Sequence, residues 1–154
     1  MSAQPSTSGA VPDHAEAADS VTLSFPLQPD LLYLGRMTAA AVATRAGFGF
    51  DQVEDLRLAI DELCITIAGE EESDGRLNLL FEWTSDSIKV VGTLVAAGVD
   101  LAEVSRSAPT SAVGPTPREL SERILDALVD EHGMDNAGGA PCAWIVMRRR
   151  EVPA

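Results

Sequence analysis

One stretch of the chain strongly limits what it can fold into: residues 51–69, with the sequence DQVEDLRLAIDELCITIAG. Its apolar side chains recur every three or four positions, the spacing of one face of an α-helix; they are Val53, Leu56, Ile60, Leu63, Cys64 and Ile67. The pattern predicts a helix that packs this face into a core. Asp51 can accept hydrogen bonds from free amides at its start, and Gly69 ends it.

A second, narrower line on this helix consists of Leu58, Glu62 and Thr66, which follow one another at steps of four. Side chains four positions apart on a helix lie one turn apart and point the same way. We therefore expect Glu62 and Thr66 to lie together on one side of the helix, off the core stripe.

The segment LRLAIDELCITIAG resembles the N-box helix of the bacterial anti-sigma-factor serine kinases of the RsbW/SpoIIAB type, within the GHKL ATPase superfamily. The family pattern is roughly L-x-x-A-x-x-E-x-x-x-N, where the Glu is the general base and the Asn holds the magnesium ion that bridges the phosphates. Leu56, Ala59 and Glu62 stand at the matching places, but Thr66 replaces the Asn. The resemblance implies that Glu62 is the candidate catalytic residue.

Two further nucleotide-binding motifs of that family are altered here. Where the family has D-x-G-x-G, residues 96–100 read AAGVD, so only Gly98 matches and Ala96 cannot accept a hydrogen bond from adenine. Where the family has a glycine-rich lid whose amides cradle phosphates, residues 113–118 read VGPTPR, with Gly114 as the single glycine between stiffening prolines.

The resemblance thus implies a degenerate ATP site at Thr66, Gly98 and Gly114, beside Glu62, with nucleotide binding lost or weak. ATP and magnesium are implied as cofactors only if the chain is an active kinase. No P-loop, Ser-His-Asp set or metal-binding spacing is present elsewhere in the sequence. Lys89, the single lysine, is expected at the surface.

Composition excludes several classes of function. At 154 residues the chain fits one domain, and its net charge of −13 argues against direct contact with nucleic-acid phosphates. No apolar run is long enough to span a membrane, and no leader peptide is evident. The acidity would suit a partner with a basic surface. Cys64 and Cys142 lack metal or redox spacing and are expected to be buried thiols in a cytoplasmic protein.

The first half of the chain predicts these elements. Residues 1–19, which include His14, are polar and rich in small residues, so we expect a disordered tail before a domain over residues 20–150. A strand over residues 21–27 contains Pro26, so it should either lie at a sheet edge or end at that proline. A helix capped by Asp30 should follow, with an inward face of Leu31, Leu34, Met37, Ala41, Val42 and Ala46. The turn at residues 47–50 should place Phe48 and Phe50 in the core.

The second half predicts an acidic loop over residues 70–75 and a hairpin of strands over residues 76–83 and 87–95. Residues 96–116 lack periodicity and are expected to be a lid or binding loop. A capping box with Pro117 at the first position should start a helix that ends near His132. Its inward residues are expected to be Leu120, Ile124, Leu125, Leu128 and Val129. A short strand and turn over residues 134–139 and a last strand over residues 141–150 complete the chain.

The grouping of these elements predicts an α+β fold, a two-layer sandwich with helices on one face of a mostly antiparallel sheet. The same order occurs in the GHKL fold. With the altered motifs, the resemblance implies an anti-sigma factor that sequesters an RNA polymerase sigma factor and is released by a STAS-domain anti-anti-sigma factor. It also implies a homodimer. Two alternatives stay open: an ATP-dependent serine kinase acting on that STAS partner, and a small-ligand sensor that reuses the nucleotide pocket.

Overall fold

The computed structural model describes residues 19–68, 75–95, 117–135 and 141–151. These residues form five strands and three α-helices, with one 3-10 turn at Pro29–Leu31. In chain order the elements are β1 (Asp19–Pro26), α1 (Tyr33–Arg45), α2 (Phe50–Ala68), β2 (Arg76–Trp83), β3 (Ser87–Val95), α3 (Pro117–Leu128), β4 (Glu131–Asp135) and β5 (Cys142–Arg148).

The strands form one antiparallel sheet in the order β1-β2-β3-β5-β4. The predicted hairpin is confirmed, with Phe81 of β2 opposite Val90 of β3. Strand β1 lies at one edge, as its proline predicted. Since the helices pack against this antiparallel sheet, the predicted α+β fold is confirmed.

Helix α2 lies at the centre of the helical layer, where it packs against α1, α3 and the central strands β3 and β5. It begins one residue before the predicted start, and Gly69 lies outside the described residues. Its apolar stripe is inward as predicted: Leu56 and Ile60 are completely buried, and Val53 is half-buried. The amphipathic period of this segment therefore fixed both its helical state and its orientation.

Helix α1 differs from the prediction in its start and its inward face. Asp30 is not the N-cap, because it lies in the 3-10 turn and the α-helix starts at Tyr33. The buried line consists of small residues and Val42, namely Gly35, Ala39, Val42 and Ala43, whereas Met37 is 62% exposed. The reason is close packing: a Cβ added at Gly35 would lie 3.0 Å from Cγ2 of Ile60. A bulky methionine cannot occupy so narrow an interface.

The turn before α2 buries only one of its two aromatic residues. Phe48 is buried as predicted, but Phe50 is 79% exposed, so its prediction was wrong. Gly47 has a φ of 85°, a left-handed conformation that glycine adopts without strain. The chain then enters α2 at Phe50, whose position in the first turn directs it to solvent.

Helix α3 is shorter than predicted, since it ends at Leu128 and His132 lies in β4. The imidazole Nε2 of His132 contacts the Asp126 carboxylate, so this residue lies on the strand after the helix and not at the helix end where it was predicted. The inward line runs through Ser121 and Leu125, each 2% exposed.

The remaining predicted inward residues of α3 divide into two groups. Leu120 and Ile124 are 45% and 41% exposed, so their inward assignment was wrong. Leu128 and Val129 are half-buried against the core. The apolar surface of α3 is therefore larger than the part of the helix that packs against the core.

Lys89 is buried at 4% exposure, which corrects its predicted place at the surface. It lies on the opposite sheet face from Ile88 and Val90, because side chains alternate along a strand. Its Nζ lies 3.0 Å from Oε1 of Glu82, the residue directly opposite on β2. The ion pair offsets the cost of burying the ammonium group.

Several predictions fall outside the described residues: the tail up to residue 18 with His14, most of the acidic loop, and the loop over residues 96–116 with Gly98 and Gly114. They stay predictions. Within the described ranges, no helix combines the length and apolar character needed to cross a lipid bilayer.

Candidate functional site

The candidate site begins with the two polar residues of α2. Thr66 is buried, with 5% exposure, and its hydroxyl donates a hydrogen bond of 2.9 Å to the backbone carbonyl of Glu62. Such bonds to the carbonyl four residues back are a common way for threonine to satisfy its hydroxyl inside a helix. The expectation that Thr66 lies off the core face was therefore wrong.

Glu62 differs from Thr66 in its access to solvent, since it is only half-buried. Leu58, one turn earlier, is 55% exposed. Solvent exposure therefore decreases along this side of the helix, from exposed Leu58 through half-buried Glu62 to buried Thr66. The half-buried carboxylate of Glu62 is thus accessible from outside the core, as the carboxylate of a general base must be to reach its substrate.

The donor set around this helix does not fit the magnesium ion that the resemblance implies for an ATP site. Magnesium prefers a near-octahedral set of oxygen ligands, usually with one or two carboxylates. In the described ranges, no three His, Cys, Asp or Glu side chains are grouped so as to hold a metal. The hydroxyl at position 66 is turned back onto its own helix. Of the site residues that the resemblance assigns within the described ranges, Glu62 supplies a carboxylate and Thr66 supplies a hydroxyl that is already bonded.

A buried glutamine that the sequence analysis missed holds α2 in place. Gln52 is 4% exposed; its amide nitrogen donates to the carbonyl of Arg148 at 2.8 Å, and its amide oxygen accepts from the backbone of Arg150 at 2.9 Å. Both oxygen and nitrogen are thereby satisfied, as burial demands. The residue shares the three- and four-residue spacing of Leu56 and Ala59, which was the available signal.

The two thiols are chemically quiet in this arrangement. Burial raises the pKa of Cys64 from its ordinary 9.0 to about 12, with a smaller contribution from the nearby charge of Asp61. Cys142 is half-buried, and burial raises its pKa, while a hydrogen bond with Thr93 lowers it and the charge of Asp135 raises it. The expectation of a buried thiol is confirmed for Cys64, whereas Cys142 is partly accessible.

Comparison with known proteins gives a consistent result. No family model matches the chain. It is 26% identical over 134 residues to the serine-protein kinase RsbW of Bacillus subtilis (strain 168), covering 82% of this chain and 84% of that protein.

Two further relatives carry the same name. RsbW of Bacillus pumilus (strain SAFR-032) is 22% identical over 146 residues, covering 88% of this chain and 90% of that protein. RsbW of Listeria innocua is 32% identical over 75 residues, covering 47% and 48%. The resemblance inferred from the N-box helix is therefore confirmed: over most of its length the chain is similar to proteins named serine-protein kinase RsbW.

Proposed function

We propose that this protein is a cytoplasmic anti-sigma factor that sequesters an RNA polymerase sigma factor by protein–protein contact, without needing a bound nucleotide. A STAS-domain anti-anti-sigma factor would release the sigma factor. The similarity to RsbW proteins over 82% of the chain and the α+β fold support the family-level part of this proposal.

The observation that supports sequestration without a nucleotide is the burial of Thr66 and the hydrogen bond that its side chain makes. In the related family an Asn at this place holds magnesium, whereas here a 5% exposed threonine bonds its own helix. The threonine hydroxyl is engaged with the backbone carbonyl of Glu62, and threonine has no side-chain carbonyl oxygen to offer a metal. A nucleoside triphosphate that binds without its metal would be repelled by the carboxylate of Glu62 and by a chain of net charge −13.

Charge also supports a basic partner. The helical layer presents exposed carboxylates, among them Asp51 at the start of α2 and Asp126 on α3, whose side chain is 72% exposed. Opposite charge on a partner speeds diffusional encounter and loses this effect as salt rises. Charge reversals on this acidic exterior should therefore slow association with a basic sigma factor more than they change its dissociation.

An ATP-dependent serine kinase acting on the STAS partner is the second candidate. Its support is Glu62, which keeps a half-buried carboxylate at the place of the family's general base, and the printed name of the relatives. A general base is effective only when donor and acceptor are held in line. The described residues do not supply the metal site that would hold the donor.

The experiment compares wild-type protein with Glu62→Ala. Capture of sigma factors from the cell that encodes this chain should identify the bound factor, and both proteins should bind it with the same affinity. Incubation of each protein with labelled ATP and a STAS-domain partner should transfer no phosphate. Phosphorylation by the wild type that is lost in Glu62→Ala would replace this proposal with the kinase.

A further inference from the structure

One side of α2 carries a line of alternating apolar and acidic residues, which we call the outer stripe. Its members follow one another at steps of three or four positions and therefore lie along one side of the helix; they are Phe50, Glu54, Leu58, Asp61 and Ile65. The three apolar members are, in chain order, 79%, 55% and 41% exposed. The core is supplied by other residues of the same helix, so the fold does not account for this uncovered line. Several large apolar side chains uncovered in one line are typical of an interaction surface.

The spacing of the apolar members fits a second helix that lies along α2. At the rise of an α-helix, Leu58 is about 12 Å from Phe50 and about 10.5 Å from Ile65 along the axis. Helices that pack side by side repeat their contacts every seven residues, which is also about 10.5 Å. Along an extended strand, side chains on one face recur about every 6.8 Å, which does not match this spacing. A partner helix of about 15 residues would cover the whole stripe.

The charge of α2 defines the polar side of that partner helix. Its acidic residues are Asp51, Glu54, Asp55, Asp61 and Glu62, against the single basic residue Arg57. On the stripe, Glu54 accepts from Arg57 at 2.9 Å and Asp61 accepts from Arg36 at 3.4 Å. These four side chains are between 29% and 44% exposed, and exposed ion pairs of this kind are weak. Lysine or arginine side chains of a partner can therefore share both carboxylates.

Charge argues against the other occupants of such a stripe. A second copy of this chain would set the acidic residues of one stripe against those of the other, because a twofold axis brings like surfaces together. Anionic lipid surfaces and nucleic-acid phosphates would be repelled by the same residues and by a net charge of −13. A basic protein segment is the occupant that this surface complements.

We infer that the outer stripe binds a basic amphipathic helix of the sigma factor. The inference rests on the proposed function, because it names the surface that holds the proposed partner and the kind of segment held there. Apolar side chains of the partner helix pack between Phe50, Leu58 and Ile65. Its lysine and arginine side chains contact Glu54 and Asp61. Leu58 lies at the middle of the stripe, where contacts between buried side chains contribute most to binding.

Fluorescence anisotropy with the sigma factor that this chain captures tests the surface. Leu58→Lys and Ile65→Lys should each raise the Kd at least about tenfold, with the circular dichroism and urea midpoint of the wild type. Ile124→Lys is the matched control, because Ile124 is 41% exposed like Ile65 but lies on α3, and its Kd should stay within about twofold. Wild-type binding by both stripe variants would overturn this inference and leave sequestration standing. Capture of no sigma factor would overturn the proposed function and this inference with it.

Photo-cross-linking tests the chemistry of the bound segment. Benzoylphenylalanine in place of Leu58 should link to one segment of the sigma factor, which mass spectrometry identifies, whereas the same group in place of Ile124 should not link. The linked segment should be rich in lysine and arginine, and as a synthetic peptide it should gain helical circular dichroism when it binds the full chain. An acidic or non-helical linked segment, or no link at position 58 in a complex that still forms, would refute the assignment.

Discussion

Ile60→Ala is the substitution that best tests the assigned orientation of α2. Ile60 is completely buried in the core and lies against Gly35 of α1. The substitution removes three carbon atoms, each worth about 0.8 kcal/mol of transfer free energy, or about 2.4 kcal/mol together. The space left behind adds to this loss because the close contact of α1 and α2 limits collapse. The free energy of unfolding should therefore fall by about 2–5 kcal/mol.

Urea denaturation followed by circular dichroism measures this change directly. Leu58→Ala is the control, because Leu58 lies on the same helix and is 55% exposed; its loss should stay within about 0.5 kcal/mol. A loss below about half a kcal/mol for Ile60→Ala would mean that the inward face of α2 is wrongly assigned.

Three further predictions concern the site and its surroundings. Calorimetric titration with Mg-ATP should give a Kd no tighter than about the millimolar range, about 4 kcal/mol of binding; a micromolar value would refute the loss of the metal site. Lys89→Met should destabilise the fold by about 1–3 kcal/mol in thermal or urea unfolding because it leaves Glu82 unpaired, and adding Glu82→Leu should restore most of that loss. Because the pKa of Cys64 is raised from 9.0 to about 12 in the fold, the folded chain holds this proton more tightly. Its contribution is complete below about pH 9 and is lost toward about pH 12, so unfolding free energy should fall over that window, and less in Cys64→Ala.

The parts of the fold that the sequence predicted well are those where one period dominates. Helix α2 and the β2–β3 hairpin repeat their apolar residues with a single spacing, and the structure buries those residues. Helix α1 is different, because apolar and small residues occupy nearly all its positions. Its orientation is decided by close approach at Gly35, a tertiary constraint that periodicity does not contain.

For the candidate site, the sequence predicted the helix that carries its two polar residues, and the use of these residues stays a prediction. The spacing of the apolar residues placed Glu62 and Thr66 on one helix, which is confirmed. The burial of Thr66 is a tertiary property that spacing along one helix does not contain. The role of Gln52 depends on the backbone at and just after the end of β5. Lys89 was misplaced for a similar reason, since its ion pair exists only when β2 and β3 are in register.

Equilibrium binding of the captured sigma factor, followed by fluorescence anisotropy with and without Mg-ATP, tests the central claim most directly. The claim is that sequestration needs protein contact alone, so the two Kd values should agree within about twofold, a difference of about 0.4 kcal/mol. A Kd that tightens about tenfold or more with Mg-ATP, equivalent to about 1.4 kcal/mol, would contradict it. So would the absence of any sigma factor among the proteins that the chain captures.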